Sequence, residues 1–317
     1  MSDYWVEKLM DLVGQPFLPI EDLYAALRLK RRHFPKSLFK YRAVTDYALK
    51  NLRDSTLYLS PVNDFNDPYD SGFIFDPLFG EDPVEDLLGL VSGIDKEFKE
   101  SILCADDPLR EFDSFVKARY APGGNFDPGE AAKVSARRSE WQKKLSPEKI
   151  TELNDSYRAP ARVCSLSERL DSFPLWAHYA DNHKGFVMEY DFRSLKFGDD
   201  LSNTLWPVRY SGVFDGNKLL RRSGPGDHVD SVISLLAALH KSPDWAYEKE
   251  WRVFAHQVGQ LPDDSSVAAP LKAVYLGMNI PADKMQTVIE NASIAGVPVF
   301  KMQLVRHEFR IEAVPLE

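Results

Sequence analysis

The feature that most constrains this chain is a break in its periodicity. Strand-like segments lie before residue 62 and return after residue 160. Between them the apolar positions take helical spacing instead: Val84, Leu87, Leu88 and Val91 stand at i, i+3, i+4 and i+7. Strands and helices therefore do not alternate regularly, which argues against a doubly wound parallel sheet made of βαβ units. The expectation is one α+β domain over 1–317, with N-terminal helices in 1–33 and a helical insertion near 77–160.

Local signals fill in that outline. "LFKYR" (38–42) predicts a strand, Thr45 an N-cap, "DYALKNLRD" a short helix and "TLYLSP" (56–61) a second strand. After residue 160, "ARVCSLSE" and "GFVMEYDF" predict strands around the helix "SFPLWAHYAD". The strand "WPVRYSG", a loop over 214–227 and the helix "HVDSVISLLAALH" follow. The strands "EKEWRVF" and "KAVYLGM" precede a helix with Met285, Val288, Ile289 and Ala292 on one face. Two alternating strands close the chain, Phe300, Met302 and Leu304 on one, Phe309, Ile311 and Ala313 on the other.

With 44% hydrophobic and 27% charged residues, the 317-residue chain has the make-up of a soluble globular protein. A net charge of −9 supplies no global basic field, so nucleic-acid binding would need a local patch such as "KRRHFPK" (30–36) or "LRRSG" (220–224). No stretch nears the ~20 apolar residues that cross a bilayer. The first residues are acidic and lack a long apolar run, so the expectation is a cytoplasmic protein with no membrane partner. Two cysteines, Cys104 and Cys164, make neither a disulfide framework nor a cysteine zinc site.

Several catalytic signatures are missing, among them the Walker loop, G-x-G-x-x-G, H-E-x-x-H and G-x-S-x-G. His178 and His183 are five apart, which does not put them together on a helix face, and no metal is expected. "VNDFNDPYD" reads as Asx-turns around Pro68, a rigid loop able to border a ligand cleft. In "WAHYADNHKGF", Trp176 and Tyr179 are one helical turn apart and suit core anchoring, while His178 or His183 would titrate near neutral pH in a site.

"YEKEWRVF" holds the sharpest question. As a strand it puts Glu248, Glu250 and Arg252 on one face and Lys249, Trp251 and Val253 on the other. That is either a pair of aligned carboxylates or an amphipathic strand whose Glu250 and Arg252 form a surface ion pair, worth little to stability.

Three motifs in order, "LFKYRA…LYLSPVNDFNDPYDS", "CSLSE…LWAHYADNHKGFVMEYD" and "KSPDWAYEKEWRVF", resemble the DUF2971 family of bacterial proteins over residues 38–276. That family's name records an unknown function. The chain also resembles, more weakly, the R-S-E type ADP-ribosyltransferases, through Arg42 in "KYR", Ser165 and Ser167 in "CSLS", and Glu248 and Glu250 in "YEKEW". The middle motif departs from the S-T-S pattern, and about 80 residues separate it from E-x-E.

The second resemblance implies two small, mainly antiparallel sheets around a cleft and NAD as substrate. Glu250 would face the developing charge on an oxocarbenium-like ribose, and Glu248 would activate the acceptor. Arg42 would bind a pyrophosphate oxygen or ribose, Ser165 or Ser167 would brace the carboxylate or ribose, and Tyr41 or Tyr58 would stack on nicotinamide. Trp176 and His178 complete the candidate binding set. The expected activity is ADP-ribosyl transfer or NAD glycohydrolysis, with a protein or nucleic acid as acceptor, in a toxin or phage-defence setting. Two alternatives stand beside it. One is a non-catalytic nucleotide- or protein-binding module using Trp176, Tyr179, Trp245 and Trp251. The other is a nucleic-acid-directed enzyme.

Overall fold

The computed structural model describes residues 4–14, 19–65, 67, 70–71, 83–120, 127–144, 146–212, 231–256 and 265–316. The chain divides into two compact units: Met1–Phe73 with Ser156–Phe214 and Arg222–Glu317, and Ile74–Asp155 with Asp215–Arg221.

The first unit opens with helices α1 (Tyr4–Val13) and α2 (Ile20–Arg32). Strand β1 (Leu38–Arg42) and helix α3 (Asp46–Arg53) follow, the helix capped by the Thr45 side chain, which accepts from the Ala48 N–H. The second strand segment is split into β2 (Thr56–Tyr58) and β3 (Ser60–Pro61).

In the second unit the described residues form helices α4 (Pro83–Gly89), α5 (Lys96–Leu103), α6 (Pro108–Arg119) and α7 (Pro128–Lys144). Helix α8 (Pro147–Arg158) begins there and ends in the first unit. The second unit has a core of its own, in which Val84, Leu87, Leu88 and Val91 meet Ile102, Phe112 and Val134. The helical spacing of those first four positions is thus the stripe that the unit buries.

The first unit resumes with β4 (Ala161–Ser167), α9 (Phe173–Tyr179), β5 (Phe186–Tyr190), α10 (Asp200–Thr204), β6 (Leu205–Pro207) and β7 (Arg209–Tyr210). Then come α11 (Ser231–Ala238), β8 (His240–Lys241), β9 (Glu250–His256), β10 (Ser266–Ala268), β11 (Leu271–Leu276), α12 (Ala282–Ala295), β12 (Val299–Leu304) and β13 (Ile311–Pro315). The expected loop over 214–227, the "LRRSG" segment within it and the first residues of the "HVDSV" helix lie outside the described residues.

The architecture is mixed α+β and mainly antiparallel, but the strands do not form two small sheets. Nine of them make one sheet in the order β13-β12-β11-β5-β1-β4-β9-β6, with β3 on the edge of β4. Only β11 and β12 run parallel in it. The pairs β2–β10 and β7–β8 stand apart as two-stranded ribbons. Local periodicity shows where a strand is, not which distant strand it pairs with. Here β4 takes β9 as its neighbour across an interval of more than 80 residues, through seven register pairs from Ala161↔His256 to Ser167↔Glu250.

Register sorts the side chains onto two faces, since paired residues project the same way. Leu38, Met188, Tyr190, Leu166, Trp251 and Val253 share one core with Ala48 and Leu52 of α3 and Val288 and Ala292 of α12. Phe39, Tyr41 and Val187 share another with Leu175 and Trp176 of α9. Both faces are covered, which is why β9 is buried from Glu250 to Phe254 rather than on alternate residues.

Two glycines fix the join around β5. A Cβ at Gly185 would stand 2.1 Å from the Arg42 carbonyl oxygen, and one at Gly277 would stand 2.1 Å from that of His183. Only glycine permits these backbones to approach so closely.

Candidate ligand cavity and its carboxylates

A cavity of about 560 Å³ opens where β1 meets β4. Its walls come from β1, from Ser165–Ser167 of β4, from Leu175, His178 and Tyr179 of α9, and from Lys241, Glu248 and Glu250. The Asp64–Phe65 turn and Asp70 close another side.

Glu248 and Glu250 reach this cavity by a route that strand alternation does not describe. Residues Pro243–Glu248 form a 3-10 turn, Lys249 is left-handed at φ 45° and ψ 58°, and the strand begins only at Glu250. The Ser167 hydroxyl donates to the Glu248 carbonyl at 2.5 Å, and the Tyr210 hydroxyl accepts the Glu250 N–H at 2.8 Å. The turn is thus held from both sides.

The two carboxylates converge on one amine. Lys241 Nζ donates to Glu248 Oε2 at 2.6 Å and to Glu250 Oε2 at 2.9 Å. Arg252 donates to Glu250 at 2.7 and 3.1 Å, and to both oxygens of Asp70 at 2.7 Å. A further 2.6 Å bond joins it to the Ala238 carbonyl. All five charged side chains are buried, and Arg252 is 0% exposed. The surface ion pair expected of Glu250 and Arg252 is therefore an interior network, because β9 lies between β4 and β6 with one face in the core, and Asp70 and the Ala238 carbonyl cover the guanidinium on the other.

The network differentiates its two glutamates. Burial alone would raise the Glu250 carboxyl, but Arg252 and Lys241 outweigh it and hold the group below the usual carboxylate range. At Glu248 burial prevails over Lys241, and the nearby Glu250 charge adds to it, so this carboxyl is raised. Three carboxylates face two cations, and of the two glutamates Glu248 holds a proton the more readily. Its other oxygen, Oε1, accepts from the Tyr179 hydroxyl at 2.9 Å.

Other candidates from the sequence fall in different places. Arg42 lines the cavity, yet its register with Phe186 puts it on the opposite side of the sheet from Glu250, which aligns through Ser167 with Phe39. Among the described residues it makes no ion pair with Glu250. Ser165 lines the cavity and its carbonyl accepts from Lys40 Nζ at 2.8 Å. Ser167 braces the backbone of Glu248 rather than a carboxylate. Tyr41 lines the cavity with its hydroxyl on the Arg169 carbonyl at 2.6 Å.

His178 lines the cavity too, packed edge-on against Tyr179. Tyr58 sits on the β2–β10 ribbon, 38% exposed and outside the cavity lining. Trp176 is core, its indole donating to the Leu170 carbonyl. Of the four aromatics proposed as a binding cleft, Tyr179 alone lines this cavity. Trp245 lies beside Lys241, and Trp251 packs against Trp5 and Phe34.

Sequence reasoning missed Lys241, Asp70 and Lys40 as parts of this arrangement. The density of acids in "VNDFNDPYD" was the one hint of Asp70; its partner Arg252 lies 182 positions away.

The basic run at the end of α2 is largely spent on the fold. Lys30 is 1% exposed, donates to the Asn203 carbonyl and lies 3.7 Å from the Trp206 ring centroid. Arg31 donates to the carbonyls of Phe192, Arg193 and Leu195.

A family model described as "Protein of unknown function (DUF2971)" matches residues 175–253. That stretch contains Tyr179, Lys241, Glu248, Glu250 and Arg252, four of the five charged network residues among them; Asp70 and the β1 motif lie outside it. No curated protein and no solved structure matches the chain. Among the described residues, no helix is long and apolar enough to cross a membrane.

Proposed function

We propose that the cavity binds a nucleotide and that Glu248 acts on the bond between ribose and nitrogen in NAD. The observation that carries this reading is the division of labour between the glutamates. Both line the cavity, but Glu250 is held low by Arg252 and Lys241, whereas Glu248 has a raised carboxyl and shares its oxygens between Lys241 and the Tyr179 hydroxyl. The roles implied by the R-S-E resemblance are thereby exchanged: Glu250 positions Lys241, and Glu248 meets the substrate.

The chemistry balances without a further reagent. The C1′–N bond breaks with its electron pair leaving on the nicotinamide nitrogen, which becomes neutral. The oxocarbenium-like ribose is stabilised by a nearby carboxylate and captured by water or an acceptor hydroxyl. Glu248 takes the proton released in that capture, a task suited to a carboxyl raised towards the working pH. Tyr41 and Tyr179 offer aromatic surface in the cavity for a base or nicotinamide ring.

Chromatographic measurement of nicotinamide released from NAD by the purified protein tests this reading. Release above the rate of spontaneous hydrolysis is expected, and its absence at millimolar NAD with cell lysate as acceptor source overturns the reading. A second reading, a nucleotide-binding module without turnover, is favoured by one feature: every carboxylate oxygen of Glu248 and Glu250 already accepts a hydrogen bond within the network. NAD binding by calorimetry without nicotinamide release would select it.

A further inference from the structure

We propose that a second cavity, at the start of β9, binds a small zwitterion: an α-amino acid with an aromatic side chain. It is a different chamber from the one assigned to NAD, and the inference does not rest on that reading.

The chamber has a volume of about 580 Å³, within the range of small-molecule sites. All of its lining belongs to the first unit. Helix α1 supplies Trp5 and Glu7, His33 follows α2, and Glu168 follows β4. Residues 207–210 and 249–251 form the other side. One wall is an aromatic stack. The Trp5 and His33 ring centroids are 4.2 Å apart with planes 3° from parallel, and Trp5 meets Trp251 at 5.9 Å and 26°. Trp251 is buried, and its indole N–H donates to Glu168 Oε1 at 2.7 Å. Val6, Pro207 and Val208, buried as well, extend the apolar surface. Such a wall suits a ring.

The charges of the lining cancel except for one pair of opposite sign. Glu7 is taken by Arg209, at 2.8 and 3.0 Å. Glu250, which lines both cavities, is taken by Arg252 and Lys241. Glu168 and Lys249 are left. The Glu168 N–H donates to the Lys249 carbonyl at 3.1 Å, so the two residues stand side by side at the chamber. Both side chains are exposed, and among the described residues neither makes an ion pair. Glu168 Oε2 accepts no hydrogen bond there and Lys249 Nζ donates none.

A ligand carrying a single charge would be attracted by one of these groups and repelled by the other. An α-amino acid matches both, its ammonium on Glu168 and its carboxylate on Lys249, through charge-assisted hydrogen bonds. Its side chain then lies against Trp5 and Trp251.

Calorimetric titration of the wild-type protein with L-phenylalanine tests the site. Three controls accompany it: phenethylamine without the carboxylate, hydrocinnamate without the ammonium, and L-alanine without the ring. Phenylalanine should bind, and each control about tenfold or more weakly, because a site built to pair both charges penalises the analogue that lacks one. This arm needs no variant to fold. Glu168→Gln and Lys249→Gly change exposed side chains that do not line the first cavity. Each should weaken phenylalanine binding several-fold with an unaltered circular dichroism spectrum. No binding at millimolar phenylalanine, a control that binds as tightly, or undiminished binding by either folded variant overturns the proposal. None of these results bears on nicotinamide release, so the Glu248 reading stands or falls separately.

Discussion

Asp70 and Arg252, 182 positions apart, form a two-point ion pair in which both carboxylate oxygens accept from the guanidinium at 2.7 Å. Both side chains are buried, Arg252 fully, so removing Asp70 leaves Arg252 with Glu250 as its one carboxylate partner among the described residues. Asp70→Asn should destabilise the fold by about 1–3 kcal/mol, the cost of leaving buried guanidinium donors short of an acceptor while Glu250 still balances the charge. Urea unfolding measures it. A loss below about 1 kcal/mol would mean that the pair is open to water.

The raised Glu248 carboxyl links folding to pH. A folded-state value above the unfolded one means that the folded chain holds the proton more tightly. The resulting stability is full below the ordinary glutamate range and is lost as pH rises through the folded value. Glu248→Gln mimics the protonated group, so its urea midpoint should gain on that of wild type from about pH 4.5 upward. Parallel pH curves for the two proteins would contradict the assignment.

Lys249 adopts a left-handed conformation between two buried carboxylates, with its own side chain exposed. For an L-residue that backbone costs about 1–2 kcal/mol relative to glycine's freedom to adopt it. Lys249→Gly should therefore leave stability unchanged or raise it by up to ~1 kcal/mol, whereas Lys249→Val should lower it. Thermal unfolding of both variants distinguishes this turn from the uninterrupted strand expected from alternation, in which valine would be the better residue.

Lys30 gives a pH signature of opposite sign. Burial holds its amine well below the ordinary lysine value, so the unfolded chain binds the proton more tightly than the folded one. Stability contributed by this residue rises with pH until the ordinary lysine range is reached. Lys30→Met should flatten the wild-type increase on the approach to the ordinary lysine range, about pH 10, in urea-midpoint measurements. An unchanged slope would place the charge in solvent.

What the sequence made legible follows from the range of the interaction concerned. β1, the Thr45 cap and α3 are local, and their residues predict them within a position or two. The four-residue stripe from Val84 to Val91 likewise shows its helical face. The aligned glutamates were visible as a pattern, but not their burial, because that depends on β4 covering β9 from a distant part of the chain. Arg42 shows the same limit: composition and order put it beside Ser165 and Glu250, while register turns it to the other side of the sheet. Lys241 was hidden for a different reason. A lone lysine before a proline carries no periodic signal, and only the left-handed Lys249 brings both glutamates within its reach.

On the proposed reading, Glu248 rather than Glu250 is the carboxylate that meets the substrate. The most direct measurement is the rate of nicotinamide release from saturating NAD by Glu248→Gln beside wild type, with circular dichroism to show that both are folded. A fall of about 10²-fold or more is expected in the variant, the scale of removing one electrostatic stabiliser from a reaction centre. A folded Glu248→Gln that releases nicotinamide at the wild-type rate would contradict it.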